Sequence, residues 1–400
     1  MRSPSTPTGF LIEYSTFPGD VATLLIQFKR DLDPIQFLSL APQHATIHHA
    51  VAEALKKGFE KNWYILGPDL RKFEDEYAKF NNVQHCVGTG NGYDALVIAL
   101  RACNIGPGDE VILPAHTYVA TWHAVSRCGA TIVPVEPDPA SLQIDVTRVE
   151  ENITKKTKVL LPVHLYGHPC DMTSLEAIAR RHSLTIIEDN AQAHGARWNG
   201  KTTGSFGLMN ATSFYPTKNL GALGDGGAIT TNKTELAEFA KKYRNYGFGK
   251  KNYCDVEGIN SRLDELQAAV LSVKLTHLEK WNQERRDLAN QYLERLRGVG
   301  DIQLPVSQKE ALPVYHLFII RSSKREKLRE YLQSGQIETM IHYPIPPHLQ
   351  KSYASLNLGK KGFKLTEQIA ESCLSLPLWP GMTATQVDFV CDRIAGFFSR

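Results

Sequence analysis

From about residue 84 the chain alternates short apolar runs, rich in β-branched residues, with longer amphipathic ones. "HCVGTG" (85–90) gives way to "YDALVIALRAC" (93–103), "DEVILPA" (109–115) to "YVATWHAVSRC" (118–128), and "ATIVPVEP", "KVLLPVHLYG", "SLEAIARRH" and "LTIIEDN" follow. Apolar runs of strand length bounded by helix-period segments predict a mostly parallel sheet covered by helices, an α/β domain over roughly 36–285. Beyond it, "RLDELQAAVLSVKLTHLEKWNQERRDLANQYLERL" (262–296) keeps apolar residues at helical spacing and predicts one long helix leading into a smaller C-terminal α+β unit, 286–400. That unit opens with a strand, "VYHLFIIR", and a helix stopped by glycine, "REKLREYLQSG". Residues 1–35 fit neither unit. Their Ser, Thr and Pro content and the lack of an apolar segment after Arg2 exclude a secretion signal, and "VATLLIQF" (21–28) reads as a docking helix or as an artefact of the start site.

Composition narrows the partners. Of 400 residues, 45 are basic and 42 acidic, and neither sign runs in blocks, which argues against nucleic acid and anionic membranes and for small molecules. No apolar run approaches the roughly 20 residues of a membrane span. The seven cysteines are scattered and form no C-x-x-C pair, so neither a disulfide framework nor a metal site is expected, and a cytoplasmic location follows.

Ligands of parallel sheets bind at the C-terminal strand ends, and three informative stretches each follow a predicted strand. In "HCVGTGNGYDAL", Gly88, Gly90 and Gly92 precede a helix whose first amides make an anion cradle, although a plain tight turn explains such glycines equally well. It is neither a Walker loop nor a dinucleotide fingerprint, since Tyr93 stands where the third glycine belongs. "LTIIEDNAQAHGA" ends a buried strand on Glu188 and Asp189; an acidic residue there needs a cationic partner or else caps a helix. "SFYPTKNLGALGDGGAI" sets Lys218 between an aromatic run and a glycine-rich stretch, either as a desolvated amine able to attack a carbonyl or as a surface lysine in a turn. One ligand satisfies all three stretches. Pyridoxal 5'-phosphate (PLP) has a phosphate for the cradle, an aldehyde for Lys218 and a pyridine nitrogen that stays protonated beside Asp189.

Together with "PAHTYVATWHAV", "PVHLYG", "GINSRLDELQAA" and "IHYPIPPHLQ", these stretches closely resemble the DegT/DnrJ/StrS nucleotide-sugar aminotransferases over roughly 36–398. Within that family, "NWYILGP", "GTGNGYDAL", "ATWHAVS" and "HYPIPPHLQ" look most like the enzymes that aminate C3 of dTDP-3-keto-6-deoxyhexoses for deoxyaminosugar biosynthesis, polysaccharide or O-antigen biosynthesis included. The resemblance implies a fold-type I PLP-dependent transferase, a homodimer with shared active sites, and L-glutamate as amino donor. It implies Lys218 as the Schiff-base lysine and general base, Asp189 at the pyridinium nitrogen, Gln192 at the ring's phenolic oxygen and Tyr118 stacked on the ring. It further implies the Gly92 and Tyr93 amides with the Ser213 hydroxyl on the phosphate, and Asn260 reaching that phosphate from the partner subunit.

His164, Tyr166, His342 and Tyr343 sit where the family gathers substrate contacts, though a lone histidine is more often a satisfied structural residue. "RNYGFGKKNYCDVEG" (244–258) reads as a mobile loop meeting a pyrophosphate, with Arg262 pairing either a phosphate or Asp264. Amination at C4 uses the same residues. A regulatory protein that keeps PLP without turnover sits poorly with Lys218, Asp189 and Gln192 together, and a nicotinamide oxidoreductase lacks its fingerprint.

Overall fold

The structure is a computed structural model that describes residues 34–358 and 362–399. The alternating pattern folds into seven strands: β1 (His85–Thr89), β2 (Glu110–Pro114), β3 (Thr131–Val135), β4 (Thr157–Leu160), β5 (Thr185–Asp189), β6 (Met209–Ser213) and β7 (Gly227–Thr231). They lie side by side in the order β1-β7-β6-β5-β4-β2-β3. Six strands share one direction, and β7 runs antiparallel to both of its neighbours. A parallel return needs a long crossover, usually a helix. Residues 214–226 between β6 and β7 contain none, so the chain turns straight back and holds Lys218 in that turn, at the C-terminal end of β6.

Helices α1 (Ala41–Glu60), α2 (Pro68–Phe80), α3 (Gly92–Ala102), α4 (Val119–Arg127), α5 (Met172–His182) and α6 (Thr234–Tyr243) accompany the sheet. One apolar cluster joins Val87, Ile98, Trp122, Val159, Leu161 and Ile229, and another packs Met172, Leu175 and Ile178 of α5 on Ile112, Val135 and Leu160. The long helix expected over 262–296 is two: α7 (Glu265–Leu275) and α8 (Leu278–Arg295). At the break the Thr276 hydroxyl donates to the Val273 carbonyl at 2.8 Å, a local bond that competes with helix continuation.

α8 crosses into a further cluster, where Leu288, Ala289 and Tyr292 pack on Phe318 and Ile320 of β8 (Phe318–Arg321), Leu332 of α9 (Arg325–Ser334) and Ile394 of α11 (Ala384–Phe398). β8 pairs antiparallel with β9 (Cys373–Leu376), which follows α10 (Lys364–Ser372). Residues Ile35–Arg400 cluster as one unit by their contacts. Ile35, assigned from sequence to the N-terminal extension, already belongs to it through a bridge to Ile337. The rest of that extension, except Pro34, lies outside the described residues.

Two buried carboxylates tie distant segments together around the sheet's ligand end. Glu265, wholly buried, accepts the amides of Gly67, Asp69 and Leu70 at 2.7, 2.8 and 3.0 Å, satisfying the open N-terminus of α2 where its dipole favours an anion. Glu74 accepts the Gly88 amide and pairs with Arg244, which also donates to the Gly88 carbonyl. Glu74 and Arg244 thereby tie the end of β1 to α2.

Candidate active site

Asp189 ends β5 and is nearly buried. One carboxylate oxygen accepts the Thr121 hydroxyl at 2.8 Å and the other the Ala191 amide at 3.1 Å. Burial pushes its pKa up; the Thr121 and Ala191 bonds and the Lys218 charge pull it back. Lys218 is half-buried, and desolvation lowers its amine to about 8 while the Asp189 carboxylate opposes the shift. Its loop is tightly folded, since a Cβ at Gly221 would lie 2.3 Å from the Pro216 carbonyl oxygen. From below, the Asn219 amide donates to the Asn282 side chain and the Val314 carbonyl at 2.9 and 3.0 Å, and the buried Lys274 amine donates to the Gly221 carbonyl at 2.7 Å.

The glycine turn comes close to this pair. Gly92 opens α3, and a Cβ there would meet the Ser213 Cβ at 2.6 Å, so Gly92 and Ser213 are neighbours that tolerate no side chain between them. Asn91 caps the helix by accepting the Asp94 amide at 2.8 Å. The Gly92 and Tyr93 amides stand in the first turn, where no carbonyl lies four residues back to receive them. Tyr118 is the N-cap of α4, is 53% exposed, and its ring lies 5.2 Å from that of Tyr343. Gln192 donates to the Tyr343 hydroxyl at 3.0 Å and accepts the Tyr166 amide at 2.7 Å.

The structure therefore brings Lys218, Asp189, Gln192, Gly92, Tyr93, Ser213, Tyr118 and Tyr343 to one end of the sheet. His342 lies beside them, half-buried, its Nδ1 2.7 Å from the Ser375 hydroxyl, and burial lowers its pKa to about 4. Buried His194 is lowered to about 3 and His316 falls well below its ordinary value, desolvation being the main cause and the Lys218 charge adding to it. All three imidazoles are neutral near pH 7, so the ionisable pair that governs the site is Lys218 with Asp189.

Other expected residues sit elsewhere. His164 is wholly buried; its Nε2 lies 2.8 Å from the Glu188 carboxylate and its Nδ1 accepts the Cys170 amide at 3.0 Å, which corrects the expectation of substrate contact because neither ring nitrogen is free. The Tyr166 hydroxyl bonds to His116 at 2.7 Å and to the His342 carbonyl, so it too braces the site instead of facing a ligand. Its backbone takes the left-handed conformation at φ 62°, held by these bonds and by Gln192. Asn260 is exposed and bridges to Asn245. The stretch read as a mobile loop contains a two-stranded hairpin, Phe248–Lys250 with Tyr253–Cys254. Arg262 bonds to Asn245 at 2.9 Å and not to Asp264. Sequence reading missed Thr121, whose partner Asp189 lies 68 residues further along the chain.

The donor set fits a phosphate-bearing pyridine aldehyde. A carboxylate has about four acceptor sites, and two are used on Asp189. Free amides stand at a helix N-terminus, and the amine beside the carboxylate titrates near neutrality. Among the described residues no group of His, Cys, Asp and Glu is arranged to hold a metal ion, and no helix is long and apolar enough to cross a membrane.

The model of the DegT/DnrJ/EryC1/StrS aminotransferase family matches residues 45–395. The chain belongs to that family. A family member from Aneurinibacillus thermoaerophilus, dTDP-3-amino-3,6-dideoxy-alpha-D-galactopyranose transaminase, is 47% identical over 360 residues, 90% of this chain and 98% of its own. The crystal structure of Streptomyces venezuelae DesV in complex with a ketimine intermediate superposes with a TM-score of 0.90 at 45% identity, covering 92% of this chain and all of that one. Bacillus subtilis NtdA with bound cofactor PMP superposes at 0.84 with 31% identity, covering 93% and 87%. This aminotransferase thus has the fold-type I architecture expected from its sequence.

Proposed function

We propose that the chain uses PLP to move the amino group of L-glutamate to C3 of a dTDP-linked 3-keto-6-deoxyhexose, as a cytoplasmic homodimer whose sites are shared between subunits. The observation that carries this is the Lys218–Asp189 pair at the C-terminal end of the sheet, beside the Gly92–Ser213 cradle. The nature of the sugar is supported by the 47% identical relative's name.

When bound, the cofactor supplies an aldehyde that exchanges nitrogen with each substrate in turn and a ring that withdraws the electron pair left when a Cα proton departs. The protein does the rest. Lys218, with its amine near half-neutral at pH 8, would hold the cofactor through its aldehyde and, once released by the donor, would carry the proton from the donor's Cα. Asp189 keeps the ring nitrogen protonated, and the Gly92 and Tyr93 amides with the Ser213 hydroxyl hold the phosphate. Tyr118 and Gln192 fix the ring's face and edge, and His342 and Tyr343 meet the sugar. Exposed Asn260 serves the phosphate of the partner's site. Over a cycle, glutamate and the ketosugar become 2-oxoglutarate and the aminosugar.

The test is the absorbance spectrum of the PLP-loaded protein before and after L-glutamate, beside Lys218→Ala. A visible band that glutamate bleaches, absent from the variant, is expected. No band in wild type after incubation with PLP sinks the cofactor reading.

A further inference from the structure

Thr121 lies in the first turn of α4, 1% exposed, with its hydroxyl 2.8 Å from an Asp189 carboxylate oxygen and 3.2 Å from the Thr117 hydroxyl. A hydroxyl carries one proton. The ionised carboxylate has none to give, so Thr121 donates to Asp189, and the Thr117 hydroxyl must then donate to Thr121. The chain Thr117 to Thr121 to Asp189 has one direction, and it terminates on the anion. Thr117 is equally buried, so water does not compete along the chain, and successive hydrogen bonds polarise one another.

The same turn presents Tyr118 on its exposed side. One short stretch, residues 117–121, therefore offers a ring to one part of the site and a donor chain to the carboxylate behind it. Among the described residues the other donor to the Asp189 oxygens is the Ala191 amide, which no side-chain substitution removes. Thr121 is thus the adjustable contact.

We propose that Thr121, oriented by Thr117, is a positioning residue that holds the Asp189 carboxylate ionised and aimed at the pyridine nitrogen of the cofactor. The inference rests on the PLP reading above. Burial alone drives Asp189 toward its neutral form, and the Thr121 hydroxyl works against that drive before any ring arrives. A carboxylate without this donor is a stronger base. It takes back more of the ring nitrogen's proton, the ring carries less positive charge, and the lysine-bound nitrogen keeps its own proton to higher pH.

The experiment compares wild type, Thr121→Val, Thr121→Ser and Thr117→Val, each titrated with PLP and then scanned through pH 6–10 for the midpoint of the visible cofactor band. Thr121→Val keeps the shape and removes the donor. It should bind PLP about 10-fold more weakly and move the midpoint upward by about half a unit or more. Thr121→Ser should return both values to within about 2-fold and a few tenths of a unit. Thr117→Val should shift the midpoint the same way by less, and supplies the answer if Thr121→Val does not fold. A Thr121→Val protein with wild-type affinity and midpoint overturns the proposal, as does a Thr121→Ser protein as impaired as Thr121→Val, because packing of the methyl group would then be the cause. If Thr121→Val does not fold, a Thr117→Val midpoint equal to wild type overturns it. Failure of wild type itself to develop a band overturns the cofactor reading and this proposal with it, and is distinguishable from the other results.

Discussion

The depressed amine of Lys218 makes a quantitative prediction. Its pKa of about 8, against an ordinary 10.5, leaves about 9% of the amine neutral at pH 7 where a free lysine has about 0.03%, a gain of about 300-fold in the reactive form. Only that form attacks an aldehyde. With apo-protein mixed with saturating PLP in a stopped-flow instrument, the rate at which the visible band develops should rise tenfold per pH unit up to about pH 7.5 and level off above about 8.5. Removing the charge in Asp189→Asn takes away the one electrostatic influence that raises the amine pKa, so the midpoint should move below 8. The same amine has a stability consequence. Because its folded pKa lies below its unfolded value, the unfolded chain binds more protons between about pH 8 and 10.5, and apo-protein stability from this group rises with pH through that window. Lys274, also lowered to about 8 by burial, adds to the same rise. A wild-type midpoint at pH 10 or above, or an Asp189→Asn midpoint higher than wild type, would refute the reasoning.

Other expectations follow from particular contacts. Gly92→Ala places a Cβ 2.6 Å from the Ser213 Cβ, so the first turn of α3 must shift and PLP retention in a spectral titration should fall by about 10-fold or more. Glu265→Gln puts an amide donor where three backbone amides need an acceptor, and urea denaturation should report a loss of about 2–3 kcal/mol. Tyr166→Phe strips the bond to His116 and the His342 carbonyl; a stability loss of about 1–3 kcal/mol with PLP binding intact would mark Tyr166 as a brace, whereas a raised KM for the ketosugar at unchanged stability would return it to the substrate site.

The sheet was legible because buried parallel strands write themselves as continuous apolar runs, and "TIIED" of β5 points directly to Asp189 at the ligand end. The reversal of β7 was not read, although a 13-residue connection without a helix between β6 and β7 forbids a parallel return. Lys218, Asp189 and the glycine turn were visible as local motifs. What escaped were contacts between residues far apart in the chain. Glu265 satisfies amides some 195 residues earlier, Glu74 meets an arginine 170 residues later, and Thr121 reaches Asp189 across 68 residues, and none of these pairings leaves a local spacing to read. The bracing bonds of His164 and Tyr166 escaped for the same reason, since their partners, Glu188, His116 and the His342 carbonyl, come from other elements.

The most direct test of the central claim is a turnover experiment with the PLP-loaded protein, 15N-labelled L-glutamate and a dTDP-3-keto-6-deoxyhexose, with the product examined by NMR. The account predicts 15N bonded to C3 of the sugar, one 2-oxoglutarate formed per aminosugar, and no product from Lys218→Ala. No transfer to this sugar under conditions where glutamate bleaches the cofactor band, or 15N arriving at C4 of a 4-ketosugar instead, would contradict it.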